Sequence, residues 1–184
     1  MIDRNDGKPL DLKRLQGVVA PEILHAAETA SHKLQEAGIP HALAGGLAVA
    51  VYGSPRTTAE VQFLVGDEAF EKHAGGLVTL KLPLVSVGAV RIDFVSLDDT
   101  EQERDQTREA VDQPPKSGEV PVVPLPVLIY MKLKAGRQKD LADVVELLKR
   151  GSIEIDVLDR YLAEKAPHQL RRWQRAKEIA AREE

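Results

Sequence analysis

The stretch GGLAVAVYGSPRTTAEVQFLV, residues 45–65, decides how the fold is read. Gly45-Gly46 ends a short apolar run, Ile39 to Ala44, that begins after Gly38 and reads as a buried strand. Leu47 to Tyr52 suits a short helix after the glycine turn, closed by Gly53 and Pro55. Ala59 to Val65 reads as a second strand. In it Glu60 and Gln62 stand two apart and therefore share one face, while Val61 and Phe63 take the other.

Working outward, Pro21 suits the first turn of a helix, and Ile23, Ala27, Ala30, Leu34 and Ala37 follow a 3.6-residue period up to Gly38. Residues 1–20 read as a loose arm. Beyond the second strand, Asp67 to His73 is expected as a short helix ended by Gly75-Gly76. Leu77 to Leu82 and Ala89 to Leu97 are β-type and are expected to pair as a meander. Asp98 to Asp112 carries seven acids and two arginines and reads as a solvated helix capped by Asp98 or Asp99. Glu119 to Val123 offers one more strand. Helices follow over Leu125 to Ala135, Lys139 to Lys149, Ile155 to Ala166 and His168 to Arg182. Strands then helices make an α+β class, with a core over 21–150 and a helical extension over 151–184.

The composition narrows the function classes. At 184 residues, with 43% hydrophobic and 29% charged residues, the chain suits a compact domain rather than a disordered one. A formal charge of −4 gives no global pull toward nucleic acid. The absence of cysteine excludes a disulfide framework and thiolate metal sites. The longest apolar run, Ala42 to Tyr52, has 11 residues, short of the roughly 20 a membrane helix requires. With no apolar signal core at the N-terminus, the expectation is a cytoplasmic protein that does not engage membranes.

The chemistry lies around the glycine pair. Glycines at a strand-to-helix turn let backbone N–H groups approach a phosphate closely. Arg56 offers a charge-assisted contact to phosphate oxygens, and Thr57 or Thr58 a hydroxyl. Two carboxylates on one strand face, joined by a third from a neighbouring strand, can hold a pair of Mg²⁺ ions beside a nucleoside triphosphate. Here the second of those positions is the amide Gln62, and the first is Glu60, one methylene longer than aspartate.

Gly45-Gly46, thirteen intervening residues and then Glu60-x-Gln62 resemble the signature of the DNA-polymerase-β-type nucleotidyltransferase superfamily. The segment Arg56-Thr57-Thr58-Ala59-Glu60-Val61-Gln62 is similar to the Arg-x-Thr-x-Asp-x-Asp motif of the minimal nucleotidyltransferases related to AbiEii-type toxins, with its carboxylates degenerate. Lys132-Leu133-Lys134-Ala135-Gly136-Arg137-Gln138-Lys139-Asp140-Leu141-Ala142-Asp143 is similar to a further motif of that subgroup, its glycine displaced by one place. The resemblance covers roughly residues 20–150.

It implies a nucleotidyltransferase-like mixed β-sheet flanked by helices, with Asp93 as third carboxylate. Glu60, Gln62 and Asp93 become the candidate catalytic residues, with Glu60 and Asp93 as Mg²⁺ ligands. Gly45, Gly46, Arg56, Thr58 and Lys139 become candidate nucleotide contacts. The implied reaction moves a nucleoside monophosphate from an NTP to a protein or RNA acceptor, in toxin–antitoxin or phage-defence biology and with a possible cognate partner protein. Gln62 is expected to impair it. The alternative is a non-catalytic relative that binds a nucleotide or a partner.

Other readings stay open at several residues. Asp93 is as well placed to pair with Arg91 on the surface as to ligate metal. Asp140 and Asp143 suit the acid-favouring first turn of a helix, and Lys132 reads as a solvated lysine. The run Lys165 to Lys177 holds five basic residues and Trp173. It fits a nucleic-acid-facing helix, though a surface helix with its tryptophan turned inward is the preferred reading.

Overall fold

The computed structural model describes residues 10–54, 58–114, 118–150 and 154–183, apart from the side chain of Lys72. A four-stranded mixed sheet runs in the order β1-β2-β6-β5, formed by β1 (His41–Ala44), β2 (Val61–Val65), β5 (Ser86–Val87) and β6 (Val90–Val95). Strand β2 is antiparallel to β1 and parallel to β6, and β5 is antiparallel to β6. Helix α1 (Pro21–Glu36) covers one face, where Ser31 Oγ meets His41 Nε2 at 2.8 Å and His41 stacks edge-on against Phe63. Burial lowers the His41 pKa, so the ring sits neutral in this contact. Helix α2 (Gly45–Val51) leads directly out of β1, and α3 (Glu101–Asp112), α4 (Leu125–Ala135), α5 (Gln138–Lys149), α6 (Ile155–Lys165) and α7 (Leu170–Arg182) follow. The expected α+β class, with a mixed sheet flanked by helices and a helical C-terminal segment, is what the structure has.

Several local expectations differ. The Asp67 to His73 stretch is a short 3-10 turn over Asp67–Ala69 followed by strand β3 (Phe70–Lys72). That strand pairs with β4 (Val78–Leu80), so the Leu77 and Ala89 segments lie in separate sheets and form no meander. Glu119 to Val123 contributes a single parallel bridge, Leu43 to Val122, rather than a strand. Thr100 caps α3, accepting from Glu103 N–H, in place of Asp98 or Asp99. A β-region threonine satisfies the free donor as well as aspartate does. The same helix is not wholly solvated: Glu103, Gln106, Thr107 and Ala110 are buried. In the expected arm, residues 1–9 lie outside the described residues, while Leu10, Leu12, Leu15 and Val19 are buried in the core.

The C-terminal helices are built onto that core. Trp173 is buried, and its indole N–H donates to Asp159 Oδ1 at 2.5 Å. Lys177 reaches the same carboxylate at 2.7 Å. Arg172 Nη1 donates to Leu133 O at 2.6 Å, satisfying a carbonyl that the end of α4 leaves open. Gly136, at φ +65°, permits this: a Cβ there would lie 2.7 Å from Arg172 Nη1. The basic run is therefore a helix with its tryptophan facing inward. Among the described residues, no helix is long and apolar enough to cross a membrane. Trp173→Ala is expected to cost about 3–5 kcal/mol, measured by urea unfolding, while Arg171→Ala on the exposed side changes the midpoint little.

Candidate functional site

On the sheet face away from α1, parallel pairing sets Gln62 of β2 beside Asp93 of β6, and antiparallel pairing sets Gln62 beside Ala44. Gly45 follows Ala44 at once, with φ +65°. The Gln62 side chain lies over this glycine: a Cβ on Gly45 would stand 2.9 Å from Gln62 Oε1 and 3.1 Å from Gln62 Cβ. The structure thus brings Gly45, Gln62 and Asp93 together. Glu60 is exposed just before β2, and its charge, after those of their nearer partners, favours the protonated forms of Arg91 and Arg137. Thr58 turns its hydroxyl back onto the Glu60 carbonyl at 3.1 Å. Gly46 is the second residue of α2, and Lys139 is exposed in the first turn of α5. Arg56 and Thr57 lie outside the described residues.

A cleft of about 310 Å³ opens beside Gly45 and Gln62. Val95, Leu97, Leu128 and Met131 make an apolar wall, and Lys132, Lys134, Arg137 and Asp140 a charged one. Lys132 carries the floor. It is 7% exposed and meets Asp140 Oδ1 at 3.1 Å and Asp143 Oδ2 at 2.7 Å. Asp140, fully buried, also takes Arg137 Nε at 2.6 Å. These residues do more than start a helix or solvate one; they tie α4 to α5 across the Gly136 turn. Burial pushes the Asp140 carboxyl up, but hydrogen bonds from Arg137 and Lys132 outweigh it and hold it below the usual carboxylate range. Lys134 joins Asp99 and Glu103 at 2.6 Å each, and Glu103 also accepts from the Tyr130 hydroxyl.

The carboxylates do not fit a Mg²⁺ centre of the expected kind. Asp93 is held at both oxygens by Arg91, with Nε to Oδ1 at 2.8 Å and Nη2 to Oδ2 at 2.9 Å. Glu60, the other candidate acid, is exposed just before β2, and Gln62 brings no charge. No group of three or more histidine, cysteine or acidic residues among those described is arranged to hold a metal ion. Mg²⁺ sites rest on carboxylates and phosphate oxygens rather than on a carboxylate already neutralised by a guanidinium.

Among solved structures, the chain is similar to an antigenic nucleotidyltransferase-like protein from Paracoccidioides brasiliensis. The identity is 15% over 80% of this chain and 90% of that one, with a TM-score of 0.36, a depth of likeness that carries no inference. No protein-family model matches the chain. No curated protein matches it either.

Two stability outcomes follow from the geometry. Gly45→Ala is expected to cost about 1–2 kcal/mol, and Gln62→Ala in the same background to recover only part, because its Cβ remains in contact. Asp140→Asn, which leaves Lys132 and Arg137 short of a buried partner, is expected to cost about 3 kcal/mol at neutral pH. A carboxyl whose folded pKa is depressed stabilises the fold above its unfolded pKa of about 4 and loses that contribution as pH falls. The gap between wild type and variant in urea should therefore narrow below about pH 4; a gap unchanged down to acid pH would show that the carboxylate is not what matters.

Proposed function

We propose that this chain is a nucleotidyltransferase-like protein of the DNA-polymerase-β type, with an AbiEii-like motif, whose cleft binds a nucleoside phosphate while transfer is lost or severely impaired. One observation carries the reading. Beside the glycine turn, where transfer chemistry requires a cluster of free carboxylates, the chain presents an amide resting on Gly45 and an aspartate clasped by Arg91.

The cleft itself suits a ligand of this class. Its apolar wall of Val95, Leu97, Leu128 and Met131 offers a surface for a base, and Lys134 and Arg137 stand on its charged side. A concave site that is mostly apolar, with a few convergent polar groups, is the general form of a small-molecule pocket. Among the described residues, the three cations lining it, Lys132, Lys134 and Arg137, each already touch an acid. A phosphate must therefore share them, which limits affinity. A cysteine-free chain suits the reducing cytoplasm in which nucleotides are abundant.

Calorimetry with ATP, GTP, CTP and UTP, each with Mg²⁺ and with a chelator, tests the reading. Saturable binding is expected for at least one nucleotide, with affinities in the two conditions within about threefold of each other. Incubation with α-labelled NTPs and cell extract should leave protein and RNA unlabelled. Binding that requires Mg²⁺, together with label transfer, would restore the enzymatic reading. No binding of any nucleotide would leave the fold as a partner-binding scaffold.

A further inference from the structure

We infer that Arg91, as much as Gln62, keeps divalent metal out of this site: its guanidinium is a built-in cation occupying the Asp93 carboxylate that a metal would need. This goes beyond the nucleotide reading and stands apart from it, because it concerns the metal alone. The register explains why the two residues act together. Gln62 and Asp93 are paired neighbours on one sheet face, and Arg91, two residues from Asp93 on β6, shares that face. Both Asp93 oxygens are engaged, in the forked geometry that a guanidinium matches and a lysine does not. Glu60 adds its charge to the same guanidinium. A divalent ion entering here meets a positive charge within ion-pair distance of its best ligand.

If the amide alone excluded metal, replacing Gln62 by aspartate would suffice to admit it. Replacing Gln62 by aspartate adds a carboxylate next to Asp93, but Arg91 remains close enough to neutralise it. Removing Arg91 alone frees Asp93 yet leaves only two carboxylates beside an amide. Only the two changes together leave three free acids, whose mutual repulsion a divalent cation relieves. Arg91 is 69% exposed, so its replacement by glutamine removes the charge with little effect on packing.

The test uses the full chain and Mn²⁺ as the probe, with binding followed by loss of the free-ion paramagnetic signal and confirmed by Mg²⁺ competition. Wild type and Gln62→Asp are expected to bind within about threefold of each other, and Gln62→Asp with Arg91→Gln at least about thirtyfold tighter. Adding Asp93→Asn to the double variant should abolish the gain, which separates this site from surface acids. Circular dichroism and urea midpoints check that each variant is folded. The inference is overturned if Gln62→Asp alone matches the double variant, if wild type already binds as tightly, or if the folded double variant gains nothing.

Discussion

The structure turns on the parallel pairing of β2 with β6. These strands are far apart in the chain and adjacent in the sheet, and their register sets Gln62 against Asp93. Because side chains alternate across a strand, that one register also fixes which residues share the face: Arg91 and Val95 fall with Asp93, while Ile92 and Phe94 go to the side covered by α1. A slip by one residue would bury Asp93 under α1 and leave the cleft lined by Ile92. The hydrophobic pattern of both strands makes that slip costly, so the polar face is specified by the apolar one.

The second constraint is the ion cluster beneath the cleft. Lys132, Asp140 and Asp143 bring one positive and two negative charges into a site with little solvent, and Arg137 reaches Asp140 from the exposed side. Such clusters tend to specify geometry more than they add stability, since desolvation offsets much of the attraction. Here the geometry is the angle between α4 and α5 at the Gly136 turn, reinforced by Arg172 on the Leu133 carbonyl. The cleft is thus bordered by an ion-paired cluster. Its cations are held in place by acids rather than left free for a polyanion.

Much of the fold was legible in the sequence because it rests on local signals. Gly38, the Gly45-Gly46 pair and Gly136 mark boundaries, and the periods of Pro21 to Gly38 and of the C-terminal segments give helices near where they lie. The two-stranded ribbon of β3 and β4 was not legible: Phe70 to Lys72 is short and charged, and it becomes a strand only because Val78 to Leu80 pairs with it. The inward tryptophan of α7 was readable from its stripe. The role of Lys132 was not, since a lysine in an apolar helix reads as solvated until its partners, eight and eleven residues on, are seen to fold back. At the site, the sequence indicated that Gln62 breaks a carboxylate pattern and that Arg91 stands near Asp93. It did not indicate that Gln62 rests on Gly45 or that both Asp93 oxygens are taken, because these depend on side-chain geometry between strands.

The glycine turn and the strand pair thus carry an amide over Gly45 and an aspartate held at both oxygens by Arg91. The most direct test is a crystal structure of the unmodified protein grown with Mn²⁺ and a non-hydrolysable NTP, with anomalous difference maps at the manganese edge. The account predicts Arg91 on both oxygens of Asp93 and no anomalous density beside them. A manganese peak bridging Asp93 and Glu60, with Arg91 swung into solvent, would contradict it.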